Sequence, residues 1–190
     1  VAGVYTAGPT RALLKRLGYA VVELAPAESL AAIEANIMDV AHALDRAERG
    51  ERAVAALRAR LEQLAATRPR APVAAVLLRP GRFTVGRTTL AHELMTRAGL
   101  VNAAALHGLD RWGSLALESL LAIAPPLVIL DEYRSDDTSL ANAALEHPAL
   151  YRYLDDVVVV RTPGRAWSCG LPQSAELIAV LQDAARRVRP

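Results

Sequence analysis

The sequence has little cysteine and few aromatic residues. Its single cysteine, Cys169, excludes a disulfide within the chain and gives no metal-binding pattern, so it does not indicate a redox compartment. We expect Cys169 to be a small buried side chain. Aromatic residues make up only 4% of the chain. Their positions therefore matter for any site that needs flat apolar walls.

Clustered cations are also lacking. Lys15 is the only lysine, and the other basic residues are arginines scattered along a chain of formal net charge +2. A nucleic-acid-binding surface would group its cations and place stacking aromatic residues among them. The charge pattern therefore argues against a nucleic-acid partner.

No apolar run is long enough to cross a membrane. The longest, residues 120–130, is interrupted by Pro125 and Pro126, whereas a spanning helix needs about 20 apolar residues. Residues 1–4 are apolar but lack the basic region and the long apolar region of a secretory signal. The four histidines are dispersed without the spacing of metal ligands, so we expect no metal site built by the protein.

The most informative stretch is residues 29–68, which predict two consecutive helices. The second, residues 48–68, places Val54, Leu57, Leu61 and Leu64 on one apolar stripe. Short strand and helix signals alternate before this long helix and resume after it. With 190 residues, of which 53% are hydrophobic, the chain can bury a real core. We therefore predict two α/β halves joined by a single helix.

The alternating signals predict a parallel sheet covered on both faces, with ligands at the carboxyl ends of its strands. Residues 81–88 are predicted to form a polar loop, and Ser114 is predicted to cap a helix that runs through Ile123. The predicted strands are residues 1–4, 20–24, 73–78, 127–130 and 157–160, and the other predicted helices are residues 9–17, 89–98, 139–146 and 173–188.

Two windows suggest a nucleotide hydrolase. Residues 81–88 match the phosphate-binding loop through Gly81, Gly86 and Thr88, but Arg87 replaces the lysine. An apolar strand ending in Asp131 and Glu132 resembles one that ends in a magnesium ligand and a catalytic carboxylate. Because a planar guanidinium does not replace a compact ammonium between two phosphates, this interpretation ranks second.

A larger part of the chain carries another pattern. The part of the chain after residue 82 contains five windows in a fixed order, and the part before it fits through residues 14–22 and the helices of residues 29–68. The five windows are residues 83–94, 98–102, 112–121, 126–130 and 167–172. Together they resemble the periplasmic binding proteins with a helical backbone, the receptors that deliver iron-siderophores, haem and cobalamin to ABC importers.

The resemblance implies two Rossmann-like lobes with parallel sheets, joined by a long interlobe helix. Residues 1–47 would be the remainder of the N-terminal lobe, residues 48–70 the interlobe helix and residues 71–190 the C-terminal lobe. On this alignment the family's leading strands, first helix and signal sequence would precede residue 1. The resemblance also implies a periplasmic or lipid-anchored extracytoplasmic protein without catalytic residues or a cofactor.

In such receptors a bulky metal chelate lies in the cleft between the lobes, where aromatic walls and a few cations or hydroxyls orient it. Eight residues fall in loops near strand ends and are candidate ligand-binding residues: Tyr5, Thr6, Phe83, Arg87, Trp112, Tyr133, Arg134 and Trp167. We predict that Trp112 and Phe83 wall the cleft and that Arg87 or Arg134 meets an anionic group. Two of these residues have a simpler interpretation: Phe83 as a core residue and Arg134 as part of a solvated turn. Tyr151 and Tyr153 are predicted to pack within the lobe.

The resemblance further implies partners, namely an ABC permease dimer with its ATPase. The family docks through one acidic residue on each lobe, and Glu118 falls at the second-lobe position. The first-lobe position falls near Gly8, which is not acidic. Glu118 could equally be a carboxylate that favours a helix N-terminus. A degenerate α/β module that binds a protein partner is a third possibility, and the sequence does not choose among the chelates.

Overall fold

The computed structural model describes residues 2–3, 8–132 and 147–188. In chain order the strands are β1 Ala2–Gly3, β2 Glu23–Leu24, β3 Val73–Leu78, β4 Phe83–Val85, β5 Leu100–Asn102, β6 Trp112–Ser114, β7 Leu127–Glu132 and β8 Val158–Pro163. The helices are α1 Gly8–Arg16, α2 Leu30–Ala43, α3 Ala47–Ala66, α4 Leu90–Arg97, α5 Ala103–Leu106, α6 Leu117–Ile123, α7 Pro148–Asp155, α8 Arg165–Ser168 and α9 Glu176–Arg187.

The largest sheet has the strand order β5-β3-β7-β8, and every neighbouring pair in it is parallel. The inner strands are continuous apolar runs, as expected for a sheet covered on both faces. Alternate residues face opposite sides: Leu77 and Ile129 join the core under α3, α4 and α9, whereas Leu78 and Leu130 join the core under α6 and α7. The predicted parallel α/β fold is confirmed.

The two predicted consecutive helices are α2 and α3. Ser29 caps α2, since its Oγ accepts a hydrogen bond from the Ala32 N–H at 3.1 Å. The helices pack so closely that a Cβ on Gly50 would lie 2.5 Å from the Ala41 Cβ. Leu57 and Leu64 of α3 enter the core beside the large sheet, so most of the apolar stripe predicted from the sequence is buried.

The polar loop predicted for residues 81–88 was wrong in its first half. A 3₁₀ turn, Pro80–Arg82, reverses the chain, with Gly81 at a φ of 73°, and the strand β4 follows it. The strand β4 pairs antiparallel with β6, which contains Ser114. Ser114 therefore caps no helix, and α6 begins at Leu117 because residues 112–114 are held in the ribbon.

The N-terminal segment is less regular than predicted. Of residues 20–24 only Glu23–Leu24 form a strand, and β2 pairs parallel with β1. The helix α1 has no buried residue. The last helix is preceded by a 3₁₀ turn, Pro172–Ala175, which the prediction merged with it. The helix predicted for residues 139–146 lies outside the described residues, and the proposed division of the chain into lobes stays a prediction.

Candidate functional site

A cavity of about 790 Å³ lies between the segment that follows β2 and the carboxyl ends of the parallel strands. One wall is formed by residues 24–28 and α2. The opposite wall is formed by the lining residues that come later in the chain, from Arg79 to Pro172. The lining residues are Leu24, Ala25, Pro26, Ala27, Glu28, Ile33, Asn36, Ile37, Val40, Arg79, Thr89, Leu90, Ala91, Trp112, Trp167, Ser168, Cys169, Gly170, Leu171 and Pro172. A ligand site at this edge of the sheet is what a parallel α/β fold predicts.

Both tryptophans of the chain line this cavity. Trp112 lies on β6 and is 46% exposed, whereas Trp167 lies on α8 and is 3% exposed. The Trp167 Nε1–H donates a hydrogen bond to the Thr162 Oγ1 at 2.8 Å, which fixes the indole against the end of β8. Trp112 is therefore an open wall of the cavity and Trp167 is part of its floor.

Arg79 is a cavity residue that the sequence analysis missed. Arg79 follows the last residue of β3. Because Leu78 is paired with Leu130 in register, Arg79 lies beside Asp131 of the neighbouring strand β7. The Arg79 Nε forms an ion pair with the Asp131 Oδ2. Its Nη2 donates a hydrogen bond to the Ser168 Oγ at 2.8 Å, and its guanidinium lies 5.2 Å from the Trp112 ring centroid. Arg79, which follows β3, thus forms one connected group of side chains with Asp131 of β7, Trp112 of β6 and Ser168 of α8.

Asp131 is the buried member of this group. Its side chain is fully buried, and within the described residues its Oδ1 has no hydrogen-bond partner. Burial raises the pKa of the Asp131 carboxyl, and the neighbouring Arg79 offsets only part of that effect. The Arg79 guanidinium is the counter-ion placed directly against this buried carboxyl, so the charges of Arg79 and Asp131 are paired within the protein.

Phe83 and Arg87, predicted to contact the ligand, lie outside the cavity lining. Phe83 is 53% exposed on β4. The Arg87 Nε forms an ion pair with the Asp110 Oδ1 at 2.8 Å, and its Nη2 donates a hydrogen bond to the Ala105 carbonyl at 3.2 Å. The structure therefore brings Trp112 and Trp167 to the cavity, whereas Phe83 as a wall and Arg87 as the partner of an anionic group stay predictions.

The nucleotide interpretation loses its main requirement, which is a set of backbone N–H groups free to cradle a phosphate. The N–H groups of Gly86, Arg87 and Thr88 all donate to carbonyls of residues 109–111. The Thr88 hydroxyl donates to the Asp110 carbonyl at 2.8 Å as well. A Cβ on Gly86 would collide with the Leu109 carbonyl. Close packing against residues 109–111 therefore explains this glycine, and the hydrolase alternative is not favoured.

Cys169 corrects another expectation. It is exposed and lines the cavity, although burial was predicted. The turn at Gly170, with a φ of 55°, ends the short helix α8 beside the cavity and leaves the thiol uncovered. Tyr151 is also wrong as a packing residue, since it is 53% exposed, whereas Tyr153 packs against the core under α6 and α7.

Several predicted site residues lie outside the described residues: Tyr5, Thr6, Tyr133 and Arg134, together with the Glu132 side chain. Glu118 is exposed in the first turn of α6. Within the described ranges no cluster of three or more His, Cys, Asp or Glu side chains could hold a metal ion. In the same ranges, no helix is both long enough and apolar enough to span a membrane.

Three contacts join the segment after β2 to the opposite side of the cleft, and we call them the cleft contacts. The Glu28 carboxylate forms an ion pair with the Arg111 guanidinium. The Glu93 Oε2 accepts a hydrogen bond from the Leu30 N–H at 2.8 Å, at the start of α2. Gly170 approaches Ala27 so closely that a Cβ would collide with the Ala27 methyl. These three contacts thus join the two sides of the cavity to each other.

The parallel sheet, with a cavity at the carboxyl ends of its strands, makes this an α/β protein with a candidate ligand site at the edge of its sheet. A family model described as a periplasmic binding protein matches residues 11–152, well over half of the chain. The chain therefore belongs to the periplasmic binding protein family. No curated protein is significantly similar to the sequence.

Solved structures of several such proteins are similar in fold. The periplasmic heme binding protein from Pseudomonas aeruginosa is 23% identical with a TM-score of 0.81, over 100% of this chain and 72% of that chain. The Fe³⁺-hydroxamate transport system protein from Saccharomonospora viridis is 21% identical with a TM-score of 0.75, over 96% of this chain and 67% of that chain. The vitamin B12 binding protein BtuF of Vibrio cholerae is 17% identical with a TM-score of 0.70, over 97% of this chain and 72% of that chain.

Proposed function

We propose that this protein is the extracytoplasmic receptor of an ABC importer and that it binds a metal chelate in the cavity between its lobes. The observation that supports this proposal is the cavity itself, a cleft of about 790 Å³ with one indole in its wall, one in its floor and a largely apolar lining. Its size suits a bulky ligand. The ligands in the names of the similar structures, heme, Fe³⁺-hydroxamate and vitamin B12, are all metal chelates.

In this proposal the protein captures and delivers its ligand without chemical change. The cleft contacts and the long helix α3 favour a nearly preformed site that closes modestly. The delivered chelate passes to a permease dimer whose ATPase drives transport, and Glu118 on the exposed face of α6 is the candidate docking residue. Iron-siderophores come first among the candidate ligands, followed by cobalamin and haem.

A thermal-shift panel tests the proposal. The protein is heated with haem, cobalamin, ferric siderophores and magnesium-ATP in separate wells. A ligand that binds only the folded state raises the free energy of unfolding by about 2.7 kcal/mol at a hundredfold excess over its Kd. We expect a shift with at least one chelate and none with magnesium-ATP. A shift with magnesium-ATP alone would overturn the receptor proposal.

Replacing Trp112 with Ala tests the cavity as the binding site. The variant Trp112→Ala removes the open indole wall, and we expect it to weaken binding of the chelate found in the panel by about tenfold or more. Tyr151→Ala is the matched control, because Tyr151 is a similarly exposed aromatic residue that lies outside this cavity. Unchanged chelate affinity in Trp112→Ala would exclude this cavity as the site.

A further inference from the structure

The charges that face the cavity are balanced within the protein. Of the described residues that line it, only Glu28 and Arg79 carry a charge. Glu28 is paired with Arg111, and Arg79 is paired with Asp131. Of the two other basic residues considered above for an anionic ligand, Arg87 lies outside the lining and is paired with Asp110. Arg134 lies outside the described residues.

Arg79 cannot turn to a ligand without disrupting its surroundings. Its Nε is held by a carboxylate whose side chain is fully buried, and its Nη2 is held by Ser168. If Arg79 swung away, Asp131 would be left as a buried charge without its counter-ion, which is far more costly than a broken surface pair. The Arg79 guanidinium that faces the cavity is therefore already paired with the Asp131 carboxylate, and it lies over the Trp112 indole.

Building on the proposed function, we infer that the cavity selects a metal chelate whose metal-binding core has no net charge. A ferric trihydroxamate has such a core, because three hydroxamate anions balance Fe³⁺. A ferric tris-catecholate has the same metal and similar size but a trianionic core. Its burial in this cavity would remove negative charge from water without an unbalanced cation among the described lining residues to replace the lost hydration.

Binding of two siderophores of opposite type tests the inference. Ferrichrome supplies the uncharged trihydroxamate core and ferric enterobactin the trianionic tris-catecholate core, and each is titrated while tryptophan fluorescence is recorded. We expect ferrichrome to bind at least about tenfold more tightly. Equal affinity, or tighter binding of ferric enterobactin, would overturn the inference and leave the receptor proposal intact. If neither these two nor any other chelate binds, the proposed function fails and the inference fails with it.

The variant Asp131→Asn tests whether the Arg79–Asp131 pair is the cause of the discrimination between the two siderophores. It keeps the side-chain volume and an oxygen that can accept the Arg79 Nε–H, but it removes the balancing charge. Because the variant leaves the Arg79 guanidinium without its counter-ion, the melting temperature is measured first to check that it folds. We expect the ratio of the affinity for ferric enterobactin to the affinity for ferrichrome to rise about tenfold.

Asp110→Asn is the matched control, because it releases an arginine from an Arg–Asp pair outside the cavity. It should change neither affinity. If Asp131→Asn leaves the discrimination between the two siderophores as in the native protein, Arg79 and Asp131 do not set it. Should Asp131→Asn fail to fold, the comparison of the two siderophores in the native protein still decides the inference.

Discussion

The two sides of the cleft are built differently. The inner strands of the large sheet behind one side are mostly buried, and residues 75–78 of β3 are inaccessible to solvent. On the other side, β1 and β2 pair over two residues each, and Leu13 in α1 and Leu17 just after it are exposed. The helix α2 connects the two sides, since Leu30 and Ile33 belong to the core beside the sheet. We therefore expect stability to reside mainly in residues 29–132 and 147–188, because α1 buries no residue and β1 and β2 pair over only two residues each.

The largest expected effect comes from the core of the sheet. Leu77→Ala empties a fully buried position on β3 and should lower the free energy of unfolding by about 2–5 kcal/mol. Leu17→Ala removes the same group from a side chain just after α1 that is 62% exposed, and it should change the free energy of unfolding by less than about 0.5 kcal/mol. Urea unfolding measures both. Equal losses would mean that α1 is as firmly packed as the sheet.

The second largest effect on the free energy of unfolding is expected where Gly170 contacts Ala27 across the cleft. Gly170→Ala would force Ala27 away from the turn after α8, and overpacking of this kind costs about 1–3 kcal/mol. Gly108→Ala is the control, because Gly108 also has a positive φ but has no atom near a new Cβ. Its cost should be about 1 kcal/mol of backbone strain alone. We expect only Gly170→Ala to alter chelate affinity as well, as measured by titration.

A smaller effect is expected where α2 is attached across the cleft. Glu93→Ala removes the carboxylate that accepts the Leu30 N–H, and loss of such a cap costs about 1 kcal/mol. Glu48→Ala removes an exposed carboxylate from the first turn of α3, where the structure shows no side-chain cap, and should cost only a few tenths of a kcal/mol. Thermal unfolding distinguishes the two variants. A larger loss from Glu48→Ala would contradict the role of Glu93.

The smallest effect is a pH dependence. The Arg58 guanidinium on α3 lowers the pKa of the Glu34 carboxyl on α2 from its usual value of 4.5. This pair therefore contributes stability above pH 4.5, and the contribution is lost as the pH falls through the lowered pKa. Glu34→Gln should flatten the acid side of the melting-temperature profile by an amount equivalent to a few tenths of a kcal/mol. An unchanged profile would show that the pair contributes nothing measurable.

The sequence predicted the parts of the fold that repeat a simple pattern. The strand β3 is a continuous apolar run and α3 has a regular apolar stripe, so both were found close to their observed bounds. The ribbon of β4 and β6 was missed because each strand has three residues of mixed polarity, and only their pairing makes them strands.

The site was harder to predict than the fold. Trp112 and Trp167 were predicted to lie in loops near strand ends; the structure places them on β6 and α8, and both line the cavity, while their contact with a ligand stays a prediction. Arg79 and Asp131 are 52 residues apart and meet only through the register of β3 with β7. Nothing in either local sequence indicates that partnership. The exposure of Cys169 likewise depends on where α8 ends, which a sequence pattern does not fix.

The position of the two tryptophans has a practical consequence for spectroscopy. Because both indoles line the cavity, all tryptophan emission of the chain originates at the site of the proposed ligand. The exposed Trp112 should emit at longer wavelength than the buried Trp167. Coloured chelates absorb in this region and should quench both by energy transfer. Trp112→Phe would leave one emitter on the cavity floor, so the protein carries its own optical reporter of occupancy without any attached dye.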